Sequence, residues 1–318
     1  MEANLKVLVT GGAGFIGSHL AESLVLNGHE VTVIDSLSDF LYSRELKKIN
    51  TRDFASKGIK FYELDLSKDS LDELVGRQEV IINQAGMPGL VKSWSDVNEY
   101  FTSNVMALSK LLESARKANI TKFIQISTSS VYGSKAVSTE NSELRPYSPY
   151  GVSKLAAENL VRAYGDNFQI PFCILRYFSV YGPRQRPDMA YQKFISSIIR
   201  GDQIEIYGDG LQTRTNTFVS DIVNGTILAM ESGDITNNNT YNLAGIQSVT
   251  LMEAILEIEN QLGAQANIKY APKRHGDQQE TLGDITAAKK DFGYMPKVHF
   301  NEGISEQIRW NQSARPNL

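Results

Sequence analysis

The chain has 318 residues, 42% hydrophobic and 21% charged, which leaves room for one large α/β unit or two closely joined domains of a globular protein. A formal net charge of -4 argues against a broad nucleic-acid-binding face, so each basic cluster is read locally. The single cysteine, Cys173, excludes an intrachain disulfide, and with no signal-peptide or membrane-spanning run the composition points to a cytoplasmic enzyme or binding protein.

In chain order, strands are predicted at 6–10, 30–35, 60–64, 80–83, 122–127 and 172–178. Helical patterns separate them at 16–28, 101–119 and 153–168. Such alternation predicts the α/β class, with right-handed βαβ units forming a doubly wound parallel sheet covered by helices on both faces. Cys173 falls in the last of these strands, IPFCILRYF, and is expected to be a small buried hydrophobe. After about residue 180 the rhythm loosens, with a helix at 191–200, a strand near 204–208, a helix at 219–232 and a Gly/Asn-rich stretch at 233–239. This predicts a smaller mixed α/β lobe over 179–318 beside a nucleotide-binding domain over 1–178, with segments around 213–245 packing back onto the latter.

The first strand runs directly into GGAGFIG, and Gly11, Gly14 and Gly17 set a GxxGxxG spacing at the start of a helix. Glycine there permits a tight turn and close approach of a pyrophosphate to backbone N–H groups, the fingerprint of a Rossmann-type dinucleotide site. The context agrees: a strand precedes, a helix follows, and Asp35 closes the next strand 18 positions beyond Gly17. A carboxylate at that place accepts hydrogen bonds from ribose hydroxyls and repels a 2′-phosphate, so NAD is favoured over NADP. Asp65, in ELDLSK after the third strand, is placed either to reach the adenine or to cap the following helix.

A second constellation begins at ISTSSVYG, where Thr128, Ser129 and Ser130 end the fifth strand. It continues in YSPYGVSK, where Tyr150 and Lys154 are four apart and share one face of a helix. An ammonium beside the phenol, with a cationic nicotinamide nearby, would stabilise phenolate and bring its pKa toward neutrality. Such a tyrosine can take a proton from a sugar hydroxyl, while a strand-end hydroxyl holds the same oxygen.

GGAGFIG, Asp35, STSSVYG and YGVSK together resemble the extended short-chain dehydrogenase/reductases, in particular their NAD-dependent nucleotide-sugar epimerase branch. The likeness extends over essentially the whole chain, including YGDGLQTRTNTFVSDIV and YNLAG. It implies that Tyr150 is the catalytic base, Lys154 its partner and Thr128 a catalytic hydroxyl. It adds Phe15, Ile16, Leu66, Ala85 and Asn104 to the cofactor site, and Ser129, Ser130, Arg214 and Asp277 to the UDP-sugar site. A homodimer through helices near 96–118 and 150–168 is implied, with no metal and no nucleic-acid or membrane partner. The chain departs from the family pattern at NQAG (83–86), where HLAA is usual, and at TRTNTFVSD (213–221), where RDFTYVDD is usual.

Three positions narrow the expected reaction. Ser130 stands where xylose-forming decarboxylases resembling the chain carry glutamate, and Ser129 and Ser130 replace the acid pair of dehydratases. RYFS replaces the RYFN of many glucose-type 4-epimerases. The loop GPRQRPDMA resembles that of UDP-glucuronate 4-epimerases, which implies that Ser179 and Arg186 meet a sugar carboxylate through a guanidinium fork. Arg184 is left between a diphosphate ligand and a structural role. The alternatives are a UDP-glucose or UDP-N-acetylglucosamine 4-epimerase, a UDP-glucuronate decarboxylase, or a nucleotide-sugar sensor without activity.

Overall fold

The computed structural model describes residues 4–273 and 278–314. The first strands are β1 (Lys6–Thr10), β2 (Glu30–Asp35), β3 (Lys60–Glu63), β4 (Val80–Asn83) and β5 (Lys122–Thr128). β6 (Lys135–Ser138) leaves that series, β7 (Phe172–Tyr177) rejoins it, and β8 (Val180–Tyr181), β9 (Gln203–Tyr207) and β10 (Thr213–Phe218) follow. β11 (Asn239–Leu243), β12 (Gln247–Thr250), β13 (Asn267–Ala271) and β14 (Glu280–Gly283) are the last strands among the described residues. Seven of them pair in the order β11-β7-β5-β4-β1-β2-β3, and every neighbouring pair is parallel. All residues of β5 and β7 are buried, as strands covered on both faces require. The six strands expected from the sequence each lie within one residue of these. The strand order reverses between β1 and β4, and a doubly wound sheet opens its crevice at the carboxyl ends of the strands on such a line.

The smaller sheet runs β12-β10-β14-β6, with β8 beside the last residues of β10. β9 and β13 form a separate parallel pair. Chain and lobes therefore interleave: β6 pairs with β14 in the small sheet, whereas β11 extends the large sheet beside β7. No helix among the described residues is long and apolar enough to cross a membrane.

The helix Pro149–Phe168 starts earlier than the expected 153, because Ser148 caps it by accepting a hydrogen bond from Gly151 N at 3.1 Å and Pro149 takes the first turn. Glu158 on its inner face is fully buried, and so is Arg176 of β7. Arg176 donates to both Glu158 oxygens, Nε to Oε1 at 2.9 Å and Nη2 to Oε2 at 2.7 Å. Ser127 Oγ adds a bond to Oε1 at 2.6 Å, and Arg162 Nη2 one to Oε2 at 3.0 Å. The other end of Arg176 donates to the Tyr132 hydroxyl at 2.8 Å, which donates to Asn242 Oδ1 at 2.7 Å. Cys173 in the same strand is buried as expected, and that burial pushes its thiol up to about 12. Breaking a buried pair by removing one partner strands a charge, so Arg176→Met should lower unfolding stability by about 3–5 kcal/mol in urea titration. The double variant Glu158→Leu/Arg176→Met should lose less than Arg176→Met alone, because neither charge is then left uncompensated.

Candidate active site

A cavity of about 770 Å3 opens at the carboxyl ends of β1 to β5. Its wall contains Gly11, Gly14, Phe15, Ile16, Gly17 and Asp35, then Asp65, Leu66 and Ala85. Thr128, Ser129, Ser130, Tyr150 and Lys154 continue it, and Ser179, Arg186 and Arg214 close it from the small lobe. Asn104 stands behind the wall, and Asp277 lies outside the described residues.

Gly11 turns the chain at φ 68°, and a Cβ there would sit 2.7 Å from Ala85 Cα, so only glycine fits. A Cβ on Gly17 would lie 2.3 Å from Gly11 O, which explains the close seating of the helix on the turn. The helix Phe15–Leu26 has no side-chain cap, so its first N–H groups are available to an anion in the cavity. Asp35 accepts hydrogen bonds from Ala13 N at 3.1 Å and Leu37 N at 2.8 Å. Burial pushes its carboxyl up, opposed by the Lys47 ammonium and these two N–H groups. Lys47 Nζ donates to Ser38 O at 2.7 Å and lies 5.0 Å from the Tyr42 ring centre. Lys47 and Tyr42 both line the cavity, and the short helix Arg44–Thr51 that carries Lys47 is absent from the predicted elements. Asp65 accepts from Ser67 N at 2.9 Å and Oγ at 2.6 Å, so it caps its own turn while facing the cavity.

Lys154 is buried and donates to Ile126 O at 2.6 Å; burial holds its ammonium down at about 8. Burial also pushes the Tyr150 phenol up, opposed by its hydrogen bond with Thr128 and by the Arg186 charge. The Lys154 ammonium, held by the Ile126 carbonyl, lines the same cavity as the phenol. Thr128 Oγ1 also donates to Ser130 Oγ at 3.2 Å. Behind this group the expected helix 101–119 is interrupted by a π turn at Thr102–Met106, which carries Asn104. Asn104 accepts from Met87 N at 2.6 Å and donates to Met87 O at 3.0 Å and Ser153 Oγ at 2.9 Å. It thus braces the chain after β4 against the helix that holds Tyr150 and Lys154.

The NQAG departure has a physical content. Asn83 accepts from Thr10 Oγ1 at 2.7 Å and donates to Gln125 Oε1 at 2.9 Å, a buried polar bridge across β1, β4 and β5. A Cβ on Gly86 would lie 3.0 Å from Asn104 Oδ1 and 3.7 Å from Lys154 Nζ, so glycine leaves space beside Lys154.

The proline-framed loop is anchored through a buried side chain. Gln185 is buried; its amide donates to Val180 O at 3.1 Å and accepts from Gln192 N at 3.1 Å and Gln307 Nε2 at 2.8 Å. Ser179 sits at φ 20°. Arg186, its side chain 14% exposed, donates Nε and Nη2 to Asp188 at 2.9 and 2.8 Å. The expected carboxylate-reading fork is thereby half spoken for, and the Nη1 end remains the one that can meet a ligand. Arg214 donates to Thr213 O at 2.8 Å and to Gln278 O. Arg184 does not line the cavity and pairs instead with Glu22. Sequence reasoning missed Lys47, Tyr42, Asp188, Glu158 and Arg176; of these, Asp188 and Arg176 carried a usable signal as charges beside Arg186 and inside an apolar strand.

His19 Nε2 lies 3.0 Å from Pro183 O, and since a carbonyl only accepts, that nitrogen carries the proton. Burial, with the Arg184 charge, holds His19 down at about 4. The unfolded state then binds the extra proton between about pH 6.5 and 4, so His19 adds stability above that window and loses it as pH falls. Urea midpoints should rise from pH 4 to 6.5, and His19→Gln should flatten that rise.

A family model described as GDP-mannose 4,6 dehydratase matches residues 8–307. The chain is 37% identical over 316 residues to an uncharacterized UDP-glucose epimerase, YtcB, of Bacillus subtilis (strain 168), covering 97% of this chain and 98% of the relative. It is 32% identical to the UDP-glucuronate 4-epimerase of Thermodesulfobacterium geofontis (strain OPF15), covering 96% and 95%. A crystal structure of UDP-glucuronic acid 4-epimerase from Bacillus cereus, in complex with UDP-glucuronic acid and NAD, superposes with a TM-score of 0.94 at 37% identity, covering 98% of this chain and 100% of that one.

Proposed function

Because the chain belongs to the GDP-mannose 4,6 dehydratase family and has the extended short-chain dehydrogenase/reductase fold, we propose that it is an NAD-dependent 4-epimerase of a UDP-hexuronate, interconverting UDP-glucuronate and UDP-galacturonate. The observation that carries this reading is Arg186, a largely buried guanidinium in the same cavity as Tyr150 and Thr128. A cation enclosed beside the reacting sugar suits an anionic substrate, which a neutral hexose would not require. The residues fit NAD: a glycine turn, an uncapped helix N-terminus and a buried acid at the end of β2 line one continuous cavity. Bound there, NAD would supply a reversible hydride acceptor for the oxidation and re-reduction of sugar C4.

The chain's own residues supply the rest. Tyr150 takes the O4 proton as C4 is oxidised and gives it back when the ring has turned over. Thr128 holds the phenol through their hydrogen bond. Lys154, fixed on Ile126 O, places its charge at the base of the site. Arg186 with Ser179 grips the carboxylate, and with serine rather than glutamate at 130 the 4-keto acid is kept from losing CO2. Gly11 to Gly17 and Asp35 hold the cofactor's pyrophosphate and ribose, with Asp65, Leu66 and Ala85 completing its wall and Asn104 supporting that wall from behind. Arg214 with Ser129 and Ser130 takes the nucleotide sugar. On this reading residues 1–178 form the NAD-binding domain, with segments around 213–245 packing back onto it, and residues 179–318 form the nucleotide-sugar-binding lobe. Exposed Val97, Met106 and Val152 on the helical segments of residues 97–117 and 149–168 support a homodimer through those faces.

A neutral UDP-hexose 4-epimerase is the second reading, favoured by the partial neutralisation of Arg186 by Asp188. NMR of the protein incubated separately with UDP-glucuronate, UDP-glucose and UDP-N-acetylglucosamine decides between them. UDP-galacturonate should form fastest, and equal turnover of a neutral sugar would sink the uronate reading. Tyr150→Phe should cut kcat about 10³-fold while NAD stays bound. Arg186→Ala should lower kcat/KM for the uronate roughly 100-fold and leave neutral sugars unaffected.

A further inference from the structure

Arg184 is the residue of the PRQRP stretch that the cavity leaves unexplained. Its backbone sits at φ 65°, a region costly for any residue that carries a side chain. Such strain persists only where the surroundings hold it. Here Arg184 Nη2 donates to both carboxylate oxygens of Glu22 at 3.1 Å, with the two side chains only 20% and 18% exposed. Glu22 lies on the helix Phe15–Leu26, whose N-terminus forms the cofactor end of the cavity. The adjacent Pro183 carbonyl is tied to His19 of the same helix. Two neighbouring points of the loop are therefore fastened to the helix that carries the glycine turn. Two residues further on, Arg186 enters the cavity.

We infer that the Arg184–Glu22 ion pair is a specificity-determining positioning element, which fixes the Arg186 guanidinium relative to the cofactor-binding helix and so sets the preference for an anionic over a neutral sugar. The inference rests on the reading of Arg186 given above. The pair touches no ligand, so it should act on the recognition of one substituent and leave the chemistry at C4 alone.

The test uses full-length holoenzyme carrying Glu22→Gln, Arg184→Gly or Arg184→Lys, with Arg186→Ala in parallel. Arg184→Gly deletes the pair while suiting the positive φ, so loss of the ion pair is separated from backbone strain. KM and kcat are measured with UDP-glucuronate, the inhibition constant with UDP-glucose, and NAD content and melting temperature on each protein. Glu22→Gln and Arg184→Gly should raise KM for the uronate about tenfold with kcat within about twofold, and leave the UDP-glucose constant and NAD content unchanged. Arg184→Lys, which keeps the charge, should recover most of that loss. Parallel weakening of both nucleotide sugars, loss of NAD, or an unchanged uronate KM would each overturn the positioning role. If Arg186→Ala abolishes the uronate preference and Glu22→Gln does not, this inference fails and the proposed function stands. If Arg186→Ala leaves the preference intact, the functional reading itself fails and the positioning role goes with it.

Discussion

The geometry of the site depends on one buried ion pair, Glu158 with Arg176. A carboxylate offers about four acceptor sites, and Glu158 uses them on Ser127, Arg162 and two nitrogens of Arg176. A charge buried to that depth is tolerable only when its partners are all in place, so the helix Pro149–Phe168 has one permitted rotation on the sheet. Lys154 lies one turn before Glu158 and Tyr150 two turns before it. The Arg176 end reaches through Tyr132 to Asn242 of β11, so the same network ties the end of β5 to the strand that closes the sheet. Tyr150 and Lys154, the proposed catalytic pair, thus inherit their position from an ion pair that does not line the cavity.

Charge is distributed along the cavity in a way that net composition conceals. Asp35 and the uncapped helix N-terminus line the same cavity as Arg186 and Arg214. Each charge is moderated by a neighbour: Lys47 acts on Asp35, and Asp188 grips Arg186 from the side. Lone charges in such an enclosure would shift toward neutrality, whereas paired ones stay ionised and keep a fixed direction. The cost is reach, since Nε and one hydrogen of Nη2 on Arg186 are already committed.

What the sequence disclosed and what it hid divide along contact range. The glycine turn, Asp35 and the Tyr150–Lys154 spacing were legible because each depends on residues close in the chain and on a strand–turn–helix context. The positions of six of the seven large-sheet strands were legible from short apolar runs alternating with helical patterns. β6 with β14 was not, because a four-residue edge strand takes its identity from a partner well over a hundred residues away. The π turn at Asn104 was hidden for a similar reason: its geometry answers to Met87 and Ser153, and a plain helical pattern runs through it. Arg176 inside an apolar strand was an audible signal, since a charge there demands a buried counter-charge, but nothing local names Glu158 as that partner.

The interleaving of the two sheets has a consequence for the order in which the molecule is built. β7 receives its outer neighbour, β11, only when residues 239–243 of the 318 are available. Until then a nascent chain holds a nearly complete parallel sheet with an open, largely apolar strand at its rim, and the Tyr132 hydroxyl bound by Arg176 of that strand lacks its acceptor, Asn242. Synthesis proceeds from the amino end, so most of the chain must emerge before that rim is covered. The glycine turn is encoded early in the gene, yet the sheet that carries it is completed by a segment translated late. Ribosome pausing in the intervening stretch would lengthen the life of an aggregation-prone edge.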